Sequence, residues 1–300
     1  MKSFSFSDKN ALAAAFNCRP LWRGFKLIAF FFFSFSTIIF SPPVFAGVAA
    51  KPPTIGMTFV GEKLRYDIGF WLFEKVATAE LTLEKEAGGY RAVLKARTTG
   101  FVDKMIQHRE DKYVAHLKES PGGGRFITTS FESTSNVNGK VRQSRKEIIR
   151  LRGVLKKHSW GGGKDERRGE VRLLPNSYVD DPLGAFYNFR YGVYGPVRVG
   201  AKLRINTFPK EDYKSEKMTM IFRRGEKMNE QEAKMQGYGD INAPTYVARV
   251  KMSKDVFGSD LTDIEIFFST ALIPLRATAR DVAFFTDVRG TLVSVSRGRK

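Results

Sequence analysis

Three hundred residues at 42% apolar composition can bury a core in one large domain or two small ones, which sets disorder aside. A formal charge of +19 predicts a surface that attracts anions such as lipid head groups, acidic polysaccharide or nucleic acid. The only cysteine, Cys18, leaves no disulfide framework and no cysteine-based metal site.

At the start of the chain, Lys2, Lys9, Arg19, Arg23 and Lys26 precede an uncharged stretch, LIAFFFFSFSTIIF, from Leu27 to Phe40. Pro42, Pro43 and the small residues of VFAGVAA follow. This order predicts a secretory signal over residues 1–46, cleaved near Ala46 or Ala50. The apolar core falls short of the ~20 residues a spanning helix needs, and an uncleaved inner-membrane anchor is the alternative. Cys18 lies before the apolar core, so it cannot be the acylated cysteine of a lipoprotein, and the mature chain would be free of thiols. Residues 47–59 read as a short extension and 60–297 as a single β-rich domain.

From Val60 onward the dominant period is two, the mark of strands with one buried face. Ala77, Ala79, Leu81 and Leu83 alternate with polar residues, as do Tyr90, Ala92, Leu94 and Ala96, then Ala201, Leu203 and Ile205, then Ile273, Leu275, Ala277 and Ala279. Between such runs stand turn signals: Gly88-Gly89, PGGGR at 121–125, Asn138-Gly139, WGGGKD at 160–165 and FGSD at 257–260. The expected fold is mainly β, a large curved antiparallel sheet of half-barrel or barrel-like form, because a flat open sheet of that width leaves exposed edges.

Lys140 to Arg172 is the most basic stretch, with twelve Lys and Arg against four acids. Read as extended through Arg152, it places Arg142, Lys146, Arg150 and Arg152 on one face with Ser144 and Ile148. Such a stripe is either a solvated outer face or a dock for anionic lipid or glycan. Nucleic acid is disfavoured, since readers of single strands interleave aromatic residues with basic ones and this stretch offers only Trp160.

YVDDPLGAFYNFRYG, Tyr178 to Gly192, breaks the strand pattern with adjacent carboxylates and helix grammar. Asp181 suits an N-cap, Pro182 the first helical position, and Gly192 the C-terminal stop. Leu183, Phe186 and Tyr187 share one side, so one short helix over Asp181 to Arg190 is expected as a lid, with Arg190's partner open. Asp180 and Asp181 make a poor hydrolytic pair, because neighbours ahead of a helix point apart whereas acid and base must converge on a substrate.

Other chemistry finds little support. Gly163-Lys164 lacks the flanking residues of a phosphate loop, and no serine stands in G-x-S-x-G. His108, His116 and His158 do not share metal-ligand spacing. No cofactor or metal is expected.

Several stretches together resemble one bacterial exported family, catalogued as domain of unknown function 3108. They are GEKLRYDIGFWLFEKVATAELTLE, ARTTGFVDKMIQHREDKYVAHL, VDDPLGAFYNFR and IPLRATARDVAFFTDVRGTLVSV. The matching positions are Gly61, Glu62, Leu64 and Tyr66, then Asp181, Pro182, Leu183, Tyr187 and Arg190, then the strand at Gly290. At STALIPLRA the chain departs from the family's Asp-x-x-Arg-x-Pro-Val run, with Ala271 and Leu272. The resemblance implies an exported β-rich domain in a Gram-negative envelope, and no catalytic residues. The expected function is a non-enzymatic periplasmic protein that binds a lipid or other amphipathic anionic ligand. The alternatives are a scaffold that binds protein or polysaccharide in envelope assembly and, less favoured, a hydrolase of envelope substrates.

Overall fold

A computed structural model describes residues 52–70, 73–105, 108–225, 246–251, 263–283 and 286–298. The expected leader with Cys18 and the expected turn at FGSD lie outside them. Fourteen strands form a single sheet in which every pairing is antiparallel.

The first eight strands make one meander: β1 (Glu62–Phe70), β2 (Phe73–Glu86), β3 (Gly89–Thr98), β4 (Arg109–Glu119), β5 (Phe126–Val137), β6 (Lys140–Ile149), β7 (Val154–Gly161) and β8 (Arg167–Arg172). The remaining six make a second: β9 (Lys202–Thr207), β10 (Glu216–Arg224), β11 (Tyr246–Lys251), β12 (Asp263–Phe268), β13 (Pro274–Ala283) and β14 (Thr286–Arg297). Pairing of β1 with β14 fuses the two, so β8 and β9, neighbours in sequence, become the two edges. The expected alternating runs fall in β2, β3, β9 and β13. The register stacks them on one face, with Leu64 opposite Leu81, Leu81 opposite Leu94, and Leu94 opposite Tyr113.

The expected helix is α3 (Pro182–Tyr191), capped by Asp181 and ended by Gly192 at φ 88°. Two shorter helices join it, α1 (Ile55–Phe59) and α2 (Gly100–Met105). Described structure thus begins ahead of Val60, and the last part of the expected extension is core: Ile55 and Phe59 are buried against the sheet.

α3 is not a one-faced lid. Leu183 and Tyr187 pack with Leu64, Leu83, Leu117 and Phe126 from the first meander. Ala185 and Phe189 pack with Leu203, Phe222, Ala248 and Phe268 from the second. A helix gripped on both sides by strands of one sheet requires that sheet to curl around it. α3 is therefore a plug on the concave side of a barrel-like sheet whose seam lies between β8 and β9. Two backbone bonds bridge that seam, Asp180 N–H to the Asn206 carbonyl at 3.0 Å and Tyr213 N–H to the Arg172 carbonyl at 2.9 Å.

Candidate functional site

The acidic pair that opens α3 holds the plug in place. Asp181 is fully buried, and one carboxylate oxygen accepts from the Leu183 and Gly184 amides at 2.7 and 3.0 Å. Its other oxygen accepts from the Thr128 hydroxyl of β5 at 2.6 Å. Gly184 is required here, since a Cβ would lie 2.7 Å from the Asp181 carboxylate. Burial outweighs these bonds and raises the Asp181 pKa to about 6.

Asp180 points elsewhere, as the local geometry requires. It accepts from the Tyr194 hydroxyl at 2.7 Å and pairs with the Arg125 guanidinium. Asn188 adds a bond at 3.3 Å and ties its own amide group to both backbone atoms of Phe126, at 2.7 and 2.9 Å. Burial pushes the Asp180 carboxyl up, and Arg125 opposes it. The two acids serve two separate anchors.

Arg190 has its partner in Glu62, 128 residues away. The guanidinium holds the carboxylate with both terminal nitrogens, one at 3.0 Å, and neither side chain exceeds 1% exposure. Phe59 and Phe186 flank the guanidinium, with ring centres 4.7 and 5.1 Å away. Tyr187 is wholly buried beside this pair, and burial pushes its hydroxyl pKa far up.

The four candidate basic residues do not form one stripe. Arg142 and Lys146 lie on the inward face of β6, the face that buries Ile148. Lys146 sits over the Phe208 ring at 4.7 Å, and between them Ser144 bonds Ser133 of β5 at 2.8 Å. Arg150 and Arg152 leave the strand. Gly153, at φ 63°, closes a 3-10 turn over 150–152 with its amide bonded to the Arg150 carbonyl at 3.0 Å. Two-residue alternation stops where the backbone stops being extended.

That turn forms one wall of a cleft of about 880 Å³ beside the seam, lined by Arg150, Arg152, Arg172, Glu170, Tyr178 and Tyr213 among others. Tyr178 joins the cleft to the buried network. Arg125 and Arg150 both approach its ring, at 4.6 and 5.0 Å. Arg172 donates to the Tyr213 hydroxyl at 3.2 Å, and Arg152 lies 3.6 Å from Glu170.

A second region continues the inward face past the plug, with Leu94 and Ile266 packing against the two clusters that hold it and Ile68 against Val76 and Ala77. Ile68, Leu94, Ile264 and Ile266 occupy core-facing register positions yet stay partly exposed, among the small side chains Ala77, Ala79, Ala96 and Ala277. Across the curl, Ser133, Ser135, Ser144, Ser159 and Arg142 share the same face of β5, β6 and β7.

Three histidines each meet a carboxylate: His108 with Asp103 at 2.5 Å, His116 with Glu86 at 2.8 Å and His158 with Glu166 at 2.7 Å. Among the described residues no serine hydroxyl bonds to any of them.

Sequence reasoning missed Thr128, Asn188, Arg125 and Tyr194 as anchors, and it missed Glu62 as the partner of Arg190. Glu62 had a signal, as it lies in the opening Gly-Glu-x-Leu-x-Tyr stretch. The others, Thr128 on β5, Asn188 within α3 and the loop residues Arg125 and Tyr194, have roles that appear only in three dimensions.

Fold and site define a barrel-like β protein with an internal helical plug, a concave face open in part, and an arginine-lined cleft at its seam. No family model and no curated protein matches the chain. Among solved structures it is similar to the crystal structure of a beta-barrel-like protein of domain of unknown function DUF1849 from Brucella abortus. The similarity has a TM-score of 0.47 at 12% identity and covers 80% of this chain and 99% of that one.

Proposed function

We propose that this is a non-enzymatic protein of the bacterial envelope that holds an amphipathic anionic ligand on the concave face of its sheet. The observation that carries the reading is the partial exposure of Ile68, Leu94, Ile264 and Ile266 at core-facing positions. A side chain on the core side of a curled sheet is normally covered. Complete burial of an aliphatic side chain is worth about 1.5–3 kcal/mol; these side chains are already mostly covered, and an apolar ligand would recover the remaining fraction.

The wall with the serine hydroxyls and Arg142 suits the polar end of such a ligand. The basic-apolar-small order of residues 1–50 and the resemblance to the exported family support an envelope location.

Mass spectrometry of organic extracts from natively purified protein tests the reading. The wild type should carry an amphipathic anionic species that is depleted in Ala79→Phe and Ala277→Phe, with folding of each variant checked by thermal melting. A clean protein that also fails to take up added anionic lipid would overturn it.

A further inference from the structure

Eleven large apolar side chains are exposed among the described residues, and four of them, Leu151, Leu174, Tyr178 and Tyr213, line the one cleft at the β8 edge. Single exposed apolar residues need no explanation, but a cluster does. Three arginines share the cleft with Glu170, its only acidic lining residue. Arg150 forms no ion pair within 4 Å among the described residues; it lies over the Tyr178 ring at 5.0 Å, with Asp180 and Arg125 acting on its charge from farther off. The Arg152–Glu170 pair is long and solvent-exposed, so it holds Arg152 weakly.

Leu151 stands at the apex of the 3-10 turn between Arg150 and Arg152 and is fully exposed. A solvated basic loop has no use for a leucine at its tip, and a site for a free polyanion would not need one. A bilayer interface uses all of these parts: an aliphatic tip enters the acyl boundary, guanidinium forks meet phosphates, and tyrosines sit at head-group depth.

We propose that this cleft docks the protein on an anionic lipid bilayer, with Leu151 entering the interface and Arg150, Arg152 and Arg172 meeting lipid phosphates. The inference is independent of what the concave face holds.

The test is a local probe on the full chain, because the apolar stretch at 27–40 could itself partition into vesicles. In a Cys18→Ser background, Leu151→Cys and, as a control, Val293→Cys at an exposed position on β14 are each labelled with an environment-sensitive fluorophore. β14 stands eight strand positions from β8 in the sheet. With phosphatidylglycerol/phosphatidylcholine vesicles the label at 151 should shift to the blue and be quenched by brominated acyl chains. It should stay aqueous with pure phosphatidylcholine, and the label at 293 should stay aqueous with both.

Adding Arg150→Gln and Arg152→Gln should raise the lipid concentration for half-maximal shift roughly 25-fold, at about fivefold per basic residue. A label at 151 that stays aqueous on anionic vesicles would overturn the proposal. So would equal shifts at 151 and 293, indifference to the two arginine changes, or a shift that needs only a soluble acidic polysaccharide.

Discussion

Arg190 and Arg150 are the same side chain in opposite settings. Arg190 is taken out of water, grips Glu62 through two nitrogens and is flanked by Phe59 and Phe186. Arg150 stands at the mouth of a cleft against Tyr178, with no acid in close ion-pair contact among the described residues. Burial makes the first a structural bolt, because a desolvated charge tolerates no vacancy opposite it. Exposure leaves the second free to meet an anion from outside, at little consequence for the fold.

The largest effect that could break this contrast lies at the bolt. Arg190→Met should lower unfolding free energy by about 3–5 kcal/mol in chemical denaturation, because the buried Glu62 is left with only the long, half-exposed pairing to Arg297 at 3.6 Å. Glu62→Leu combined with Arg190→Met should recover most of that loss. A single variant that melts like wild type would show that Arg297 or water takes over the Glu62 carboxylate in the folded state.

Asp181→Ala comes next, at about 2–3 kcal/mol. That exceeds the ~1 kcal/mol of a typical exposed N-cap, since the buried Thr128 hydroxyl also loses its acceptor. Denaturant midpoints of Asp181→Ala and Thr128→Val would separate the two parts.

The pH dependence of Asp181 sharpens the picture further. Its folded pKa of about 6 lies above the ordinary carboxyl value, so the folded state binds its proton more tightly than the unfolded chain. The associated stability is fully present below about pH 4 and is lost as pH rises through about 6, a change on the order of 2–3 kcal/mol. Asp181→Asn keeps an acceptor for the helix amides without the charge. Its stability relative to wild type should therefore rise between pH 4 and 7 in parallel melts. A constant difference would mean the carboxylate is better solvated than its surroundings imply.

The smallest expected change in stability is at the cleft. Arg150→Ala should stay within about 0.5 kcal/mol of wild type, as surface substitutions do. A larger loss in thermal or denaturant melts would make Arg150 a second bolt and erase the contrast.

How much of this was legible depends on the range of the interactions. The strand runs, the turns at Asn138-Gly139 and Gly161 to Gly163, and the α3 caps were readable because alternation, positive φ and capping act over a few residues. The Arg150 turn was misread as strand because its cue, Gly153 in a left-handed conformation, is a single residue that alternation ignores. Asp180 and Asp181 could be dismissed as a hydrolytic pair from their adjacency, but Arg125, Tyr194 and Thr128 could not be named as their partners. Those contacts span 14 to 55 residues.

The sequence by itself determined a β-rich chain with one capped helix and a strongly basic stretch, because period, turn chemistry and charge are local or additive properties. Only the tertiary structure decided that β1 pairs with β14, that the sheet curls around α3 instead of passing beneath it, and that Glu62 meets Arg190 inside it. It also divided the basic stretch, sending Arg142 and Lys146 inward and Arg150 and Arg152 to the cleft. These outcomes follow from which faces a closed-up sheet can bury together, and that choice is made by the whole chain at once.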